Sequence, residues 1–229
     1  MKVSDPGLMA LICREGIALG WYHDSVKVAT IGIGHTAMAG PPNPKAAGIL
    51  TIREAFDLFH HDIEKYADTV RKTIKRPMLQ HEFDAFVSIC YNIGQGGFAG
   101  STFAKKFNAG DKAGCAKAIM YWKKPKEIIG RRTSERDQFK GKVQTRFIAT
   151  VYAPGVNGRL GKASSMDLVR ELQISKSDAS APAPKATPKP TEKPVSAPKP
   201  VPAPVAPAKP AKGLLAMLLN FIASILKGK

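Results

Sequence analysis

Apolar positions recur at helical spacing near the start of the chain. Leu8, Leu11 and Ile12 share a face, with Asp5 as a good N-cap and Pro6 at the first helical position. Gly16 is a natural stop, which leaves Glu15 on the last turn. The helix dipole disfavours a negative charge at that end, so an acid there invites a functional explanation. From 17 to 35 the period changes to that of strands. Residues 19–22 and 28–33 are β-prone, His23-Asp24-Ser25 reads as the turn between them, and Gly32 and Gly34 alternate with Ile31 and Ile33. Gly40-Pro41-Pro42-Asn43-Pro44 forms a loop.

Helical spacing then dominates. Thr51 and Glu54 form a capping box that opens a long helix predicted over 51–74, ended by Pro77. A helix over 80–93 carries Phe83, Phe86, Val87 and Cys90 on one face and stops at Gly94. Shorter helices are expected over 101–108, 111–122 and 128–140. Past 140 the pattern weakens, and only 165–172 offers a capped, helix-like stretch. The predicted fold class is α+β: a mainly helical domain with a small N-terminal β-sheet lobe and a cleft between the lobes.

From 177 to 212 the composition collapses to Ala, Pro, Lys, Val, Ser and Thr, with 11 of the 18 prolines, which marks an extended spacer. Residues 213–229 (GLLAMLLNFIASILKGK) then place Asn220, Ser224 and Lys227 as a narrow polar stripe on an apolar helix. The apolar run of 214–226 spans only ~20 Å at ~1.5 Å per residue, short of a ~30 Å hydrocarbon core. It suits an interfacial helix on an anionic bacterial membrane better than a span. Docking on the protein's own core is the plainer alternative, and the long spacer argues against it. The chain thus divides into 1–145, the folded domain; 146–176, an extension without a clear pattern; 177–212, the linker; and 213–229, the amphipathic helix.

Composition narrows the partners. Lys and Arg total 35 against 18 acidic residues, a formal charge of +17. Such an excess favours a polyanion: nucleic acid, an anionic membrane or the acidic bacterial envelope. No RRM, zinc-finger or helix-turn-helix signature accompanies it, so no nucleic-acid partner is expected. Cys13, Cys90 and Cys115 are odd in number, lack CxxC spacing and fall in helical segments. They read as small buried thiols of a protein made in a reducing cytosol. The first sixteen residues lack the pattern of a secretory signal. His60 and His61 are adjacent rather than i, i+4, so no metal site is expected.

Candidate chemistry gathers in Glu15-Gly16, Trp21-Tyr22-His23-Asp24 and Thr30-Ile31-Gly32-Ile33-Gly34-His35-Thr36. Cleaving a glycosidic bond needs an acid for the leaving oxygen and a second group that places a water or stabilises an oxocarbenium-like centre. A Glu closing a helix and an Asp in the following turn can face each other across a cleft, with the Thr30 hydroxyl beside the water. Singly, each has a plain reading as a surface carboxylate or a strand threonine.

The spacing of Glu15, Asp24 and Thr30, with the run TIGIGHT, resembles the active-site signature of the phage-type lysozymes of glycoside hydrolase family 24. Phe83-Asp84-Ala85-Phe86, Tyr91-Asn92-Ile93-Gly94, Ser101-Thr102, Asn108-Ala109-Gly110-Asp111 and Gly130-Arg131-Arg132 with Glu135 extend the likeness to the lambdoid-phage branch, over ~6–140. The resemblance implies a muramidase, an endolysin that cuts between N-acetylmuramic acid and N-acetylglucosamine in peptidoglycan and lyses the cell. It implies Glu15 as general acid, Asp24 supporting the water or the cationic transition state, and Thr30 positioning the nucleophilic water, without a covalent intermediate. Gly32 and Gly34 would let the glycan approach the sheet. Asn92, Arg131 and Arg132 are supporting residues, one of the two arginines reaching Glu15, and His35 is a structural hydrogen-bonding residue. No cofactor is implied. A monomer made in the host cytoplasm and released by a holin to the periplasmic wall is expected. A lytic transglycosylase, which needs no nucleophilic water, is disfavoured by the presence of Asp24 and Thr30. A non-enzymatic membrane- or nucleic-acid-binding protein is disfavoured by the intact spacing. The extension, spacer and terminal helix depart from the family's usual pattern.

Overall fold

The computed structural model describes residues 1–142 and 144–178. Apart from residues 177 and 178, the predicted linker lies outside the described residues, and so does the amphipathic helix of 213–229.

The first helix, α1, runs Asp5–Glu15. Its N-cap is Ser4 rather than Asp5: Ser4 Oγ accepts from the Gly7 amide at 3.1 Å. Asp5 instead occupies the first turn, where the dipole favours its charge. Strands β1 (Ile17–His23), β2 (Ala29–Gly32) and β3 (His35–Thr36) follow as an antiparallel set.

The sheet does not stop at these three strands. Strands β4 (Ile148–Tyr152) and β5 (Ala163–Asp167) extend it to the order β3-β2-β1-β4-β5, with β4 parallel to β1. The extension past 145 is therefore part of the domain that contains α1 and covers the outer edge of β1, which would otherwise present unpaired amides. Within β4 the pattern is plain, since Ala149 and Val151 are buried while Ile148 and Thr150 are exposed. Strand β5, ASSMD, is almost wholly exposed and is held by five cross-strand pairs with β4. Helix α9 (Leu168–Asp178) begins three residues later than the predicted 165–172 stretch because Ser165 to Asp167 belong to the strand. Leu168 and Leu172 anchor it in the core.

The helix expected over 51–74 is two: α2 (Ile52–Asp62) and α3 (Glu64–Thr73). They meet at Ile63, a buried residue with φ −71° and ψ −19° that closes one helix and opens the next. The break lets Phe59 on one side and Ala67 and Val70 on the other face the same core. The capping box of Thr51 and Glu54 is formed. Helix α4 (Gln80–Ile93) is the central element, buried from Glu82 through Cys90, and Gly94 ends it. Around it lie α5 (Gln95–Ala99), α6 (Thr102–Asn108), α7 (Lys112–Ile119) and α8 (Ile129–Phe139). The helix predicted to 122 ends at Ile119, so Tyr121 and Trp122 are exposed. Phe86 packs against Phe98, Phe103, Phe107 and Phe139 with ring centroids 5.2–5.9 Å apart.

Cys13, Cys90 and Cys115 are free thiols, which burial pushes up to about 11, 12 and 12 respectively. They are protonated packing groups at neutral pH rather than nucleophiles. Among the described residues no helix is long and apolar enough to cross a membrane.

Candidate active site

Glu15 closes α1, and the chain leaves it through Gly16 at φ 80°, a left-handed turn that glycine adopts without strain. A Cβ at position 16 would lie 3.2 Å from the Thr150 carbonyl oxygen and 3.4 Å from the Tyr152 ring. The helix end is thus pressed between the core and the extension. The Glu15 side chain is 9 % exposed.

Asp24 opens the turn between β1 and β2. Its Oδ1 accepts from the amides of Val26 at 2.9 Å and Val28 at 2.8 Å, and its own amide donates to Val28 at 2.9 Å. These bonds fix the direction of the carboxylate. Thr30, the second residue of β2, is 1 % exposed, and its hydroxyl donates to the Val28 carbonyl at 3.2 Å. Having donated its proton, the Thr30 oxygen offers lone pairs to a further donor. Tyr22 is buried. Burial raises its phenol strongly, and the fields of Asp24, Glu15 and Tyr152 add to that.

The helical lobe supplies the other wall. Arg131, on the first turn of α8, brings Nη1 to 2.6 Å from Glu15 Oε1 and Nε to 3.0 Å from Glu135 Oε1. Arg132 turns the other way, to Glu135 and to Asn92 on α4. Ser88 donates to Glu135 at 2.7 Å and accepts from Arg14 at 3.1 Å. Burial opposes the charge on Arg131, but Glu15 and Glu135 outweigh it and hold the guanidinium more basic than usual. For Arg14 and Arg132 burial wins and lowers them. Of the two candidate arginines, Arg131 is the one beside Glu15.

His35 is buried on β3. Its Nδ1 is 2.7 Å from Asp62 Oδ2 on α2 and its Nε2 is 2.9 Å from the Pro42 carbonyl. It ties the sheet to α2 and to the proline loop. Gly32 and Gly34 have φ of 62° and 76° and build the turn from β2 to β3. A Cβ at Gly32 would make only ordinary contact within the protein, 3.6 Å from Leu50, while its positive φ favours glycine there. Tyr91 Oη donates to the Ile33 carbonyl in that turn at 2.9 Å and pins it to α4.

Sequence reasoning passed over Arg14, Ser88 and Asp62. One signal was available: Ser88 and Asn92 are polar residues one turn apart in the mainly apolar second half of α4.

A profile of the family "Phage lysozyme" matches residues 13–135, which include Glu15, Asp24, Thr30, Asn92, Arg131 and Glu135. The chain belongs to the phage lysozyme family. It is 32% identical to the endolysin of Salmonella phage P22 over 143 residues, which cover 61% of this chain and 98% of that protein. Among solved structures it is similar to the endolysin from Escherichia coli O157:H7 phage FAHEc1, with a TM-score of 0.57 and 38% identity over 61% of this chain and 93% of that one. The muramidase domain of SpmX from Asticaccaulis excentricus is similar with a TM-score of 0.54 and 27% identity over 60% of this chain and 97% of that one. This phage lysozyme is a glycoside hydrolase of the lysozyme fold.

Proposed function

We propose that this phage lysozyme hydrolyses the β-1,4 bond between N-acetylmuramic acid and N-acetylglucosamine in bacterial peptidoglycan. The observation that carries the proposal is the placement of Glu15: at the end of α1 with its side chain 9 % exposed, ion-paired with Arg131 of the helical lobe, and followed in the chain by Asp24 in the β1–β2 turn and Thr30 on β2, both buried. Glu15, in its protonated form, donates to the leaving glycosidic oxygen. Thr30 Oγ1 accepts from the attacking water, and Asp24 takes up its proton or faces the cationic centre. The water attacks directly, without a covalent intermediate. Asn92 and Arg132 act on this chemistry only through Glu135 and Arg131, and His35 through the sheet.

The basic surface suits a wall made anionic by peptide carboxylates. Residues 213–229 act on anionic membrane, and the enzyme works as a monomer on the periplasmic wall after release from the host cytoplasm by a holin.

Mass spectrometry of a peptidoglycan digest tests the reaction. Muropeptides with reducing N-acetylmuramic acid ends are expected. Products with 1,6-anhydro ends indicate a transglycosylase instead, and uncut wall overturns the enzymatic reading.

A further inference from the structure

Helices α1, α4 and α8, with the segment that follows α8, surround a cavity of about 580 Å³. Arg14, Ser134 and Gln138 line it, and Pro6, Ala10 and Phe147 belong to its apolar lining. Glu15, Asp24 and Thr30 are not among its lining residues, so it is a separate feature from the catalytic constellation.

Arg14 is a cation held by neutral oxygens. Its Nη1 donates to Ser88 at 3.1 Å, and its Nη2 donates to Ser134 at 3.0 Å and to Gln138 at 2.8 Å. Its Nε is buried with no acceptor among the described residues. Burying a guanidinium without a carboxylate partner is unfavourable, and an anion nearby relieves the cost. The acceptors chosen by Arg14 add to this. Ser134 Oγ and Gln138 Oε1 both face the guanidinium, which leaves the Ser134 O–H and the Gln138 side-chain N–H groups as donors. Neither has an acceptor among the described residues, so this part of the lining offers positive charge and donors together.

The remaining charged groups of the lining are already engaged. Asp84, 4 % exposed, accepts from the Ser4 amide at 3.1 Å, the Ser4 hydroxyl at 2.6 Å and Gln80 at 2.9 Å. Asp137 is paired with Arg136 at 2.9 Å and with Lys142 at 2.8 Å. His81 Nδ1 lies 3.0 Å from the Phe139 carbonyl. An apolar cavity with one cationic, donor-rich region receives a small ligand that joins a single carboxylate to an apolar body.

We propose that this cavity binds the C-terminal carboxylate of a short apolar peptide, with Arg14, Ser134 and Gln138 receiving the carboxylate and Ala10 and Phe147 its small side chains. Peptide carboxylates of the bacterial wall have this chemistry, a source that rests on the muramidase reading. The site then gives the enzyme a hold on wall peptides apart from the bond it cuts.

The test titrates the full chain with N-acetyl-D-alanyl-D-alanine, its C-terminal amide and propionate, by calorimetry and by amide chemical shifts. The peptide acid is expected to bind with a Kd of about 1 mM, and the amide far more weakly. Shifts should centre on Ser134, Gln138 and Phe147. Ser134→Ala is expected to weaken binding about fivefold and Arg14→Gln to abolish it, each checked by thermal melts. Should Arg14→Gln fail to fold, Ser134→Ala carries the comparison. Equal binding of acid and amide overturns the proposal, as does an unchanged Kd in folded Ser134→Ala protein. Propionate bound as tightly as the peptide overturns the peptide as ligand. Failure of the muramidase reading shows separately, as absence of new reducing ends in a wall digest.

Discussion

Arg131 Nη1 lies 2.6 Å from Glu15 Oε1, joining the last residue of α1 to the first turn of α8 with both side chains buried. The pair belongs to a chain of alternating charge in which Arg131 also holds Glu135, and Glu135 holds Arg132. Removing such groups from water costs several kcal/mol per ion, so the network adds little stability over apolar packing. What it does supply is position: the Glu15 carboxyl is held from the helical lobe while its backbone leads into the sheet.

Replacing Glu15 by Gln keeps the shape of the side chain and removes its acidic proton. Turnover on peptidoglycan is expected to fall by ~10²–10⁴-fold with the fold retained. Wild-type clearance of a cell-wall suspension by folded Glu15→Gln protein would refute the assignment.

Thr30→Val preserves strand propensity and volume but deletes the hydroxyl beside Val28. The expected result is a fall in kcat with KM nearly unchanged, because the hydroxyl serves the water and not the sugar. An unchanged kcat would reduce Thr30 to a strand residue.

Glu135 is fully buried and takes hydrogen bonds from Ser88, Arg131 and Arg132. Glu135→Gln leaves the guanidinium groups short of negative charge in the core. Stability is expected to drop by about 3–5 kcal/mol in urea unfolding. A loss below about 1 kcal/mol would show that the network relaxes around the change.

Gly158 has φ 69° and sits against Trp21 and His23. Gly158→Ala both strains the backbone and drives a methyl into those rings, at an expected cost of about 2 kcal/mol. Differential scanning calorimetry reads the drop, and an unshifted Tm would mean that the loop is not docked on β1.

For residues 213–229 the expectation comes from the polar stripe and the flanking Lys209, Lys212 and Lys229. Truncation before Ser177 should abolish co-sedimentation with anionic vesicles while leaving hydrolysis of purified peptidoglycan intact. Each lysine near the surface is worth ~1 kcal/mol, weakened by salt. Equal vesicle binding by both forms would remove the membrane role.

Local signals in the sequence determined much of this protein. Gly16 and Gly94 end α1 and α4 where the pattern says they should, and the Thr51–Glu54 box opens α2, because caps are short-range hydrogen bonds between neighbours in the chain. The spacing of Glu15, Asp24 and Thr30 was legible for the same reason: a helix end, a turn and a strand follow one another within sixteen residues. Contacts between distant residues had to wait for tertiary structure. Nothing in Arg131-Arg132 says which side chain meets Glu15, since that depends on how α8 is rotated against α1. The break at Ile63 arises because two helical faces share one core. The stretch 148–152 carried no clear pattern in the sequence: its parallel place on β1 came from an open sheet edge more than a hundred residues earlier, and the exposed β5 is a strand only because β4 is beside it.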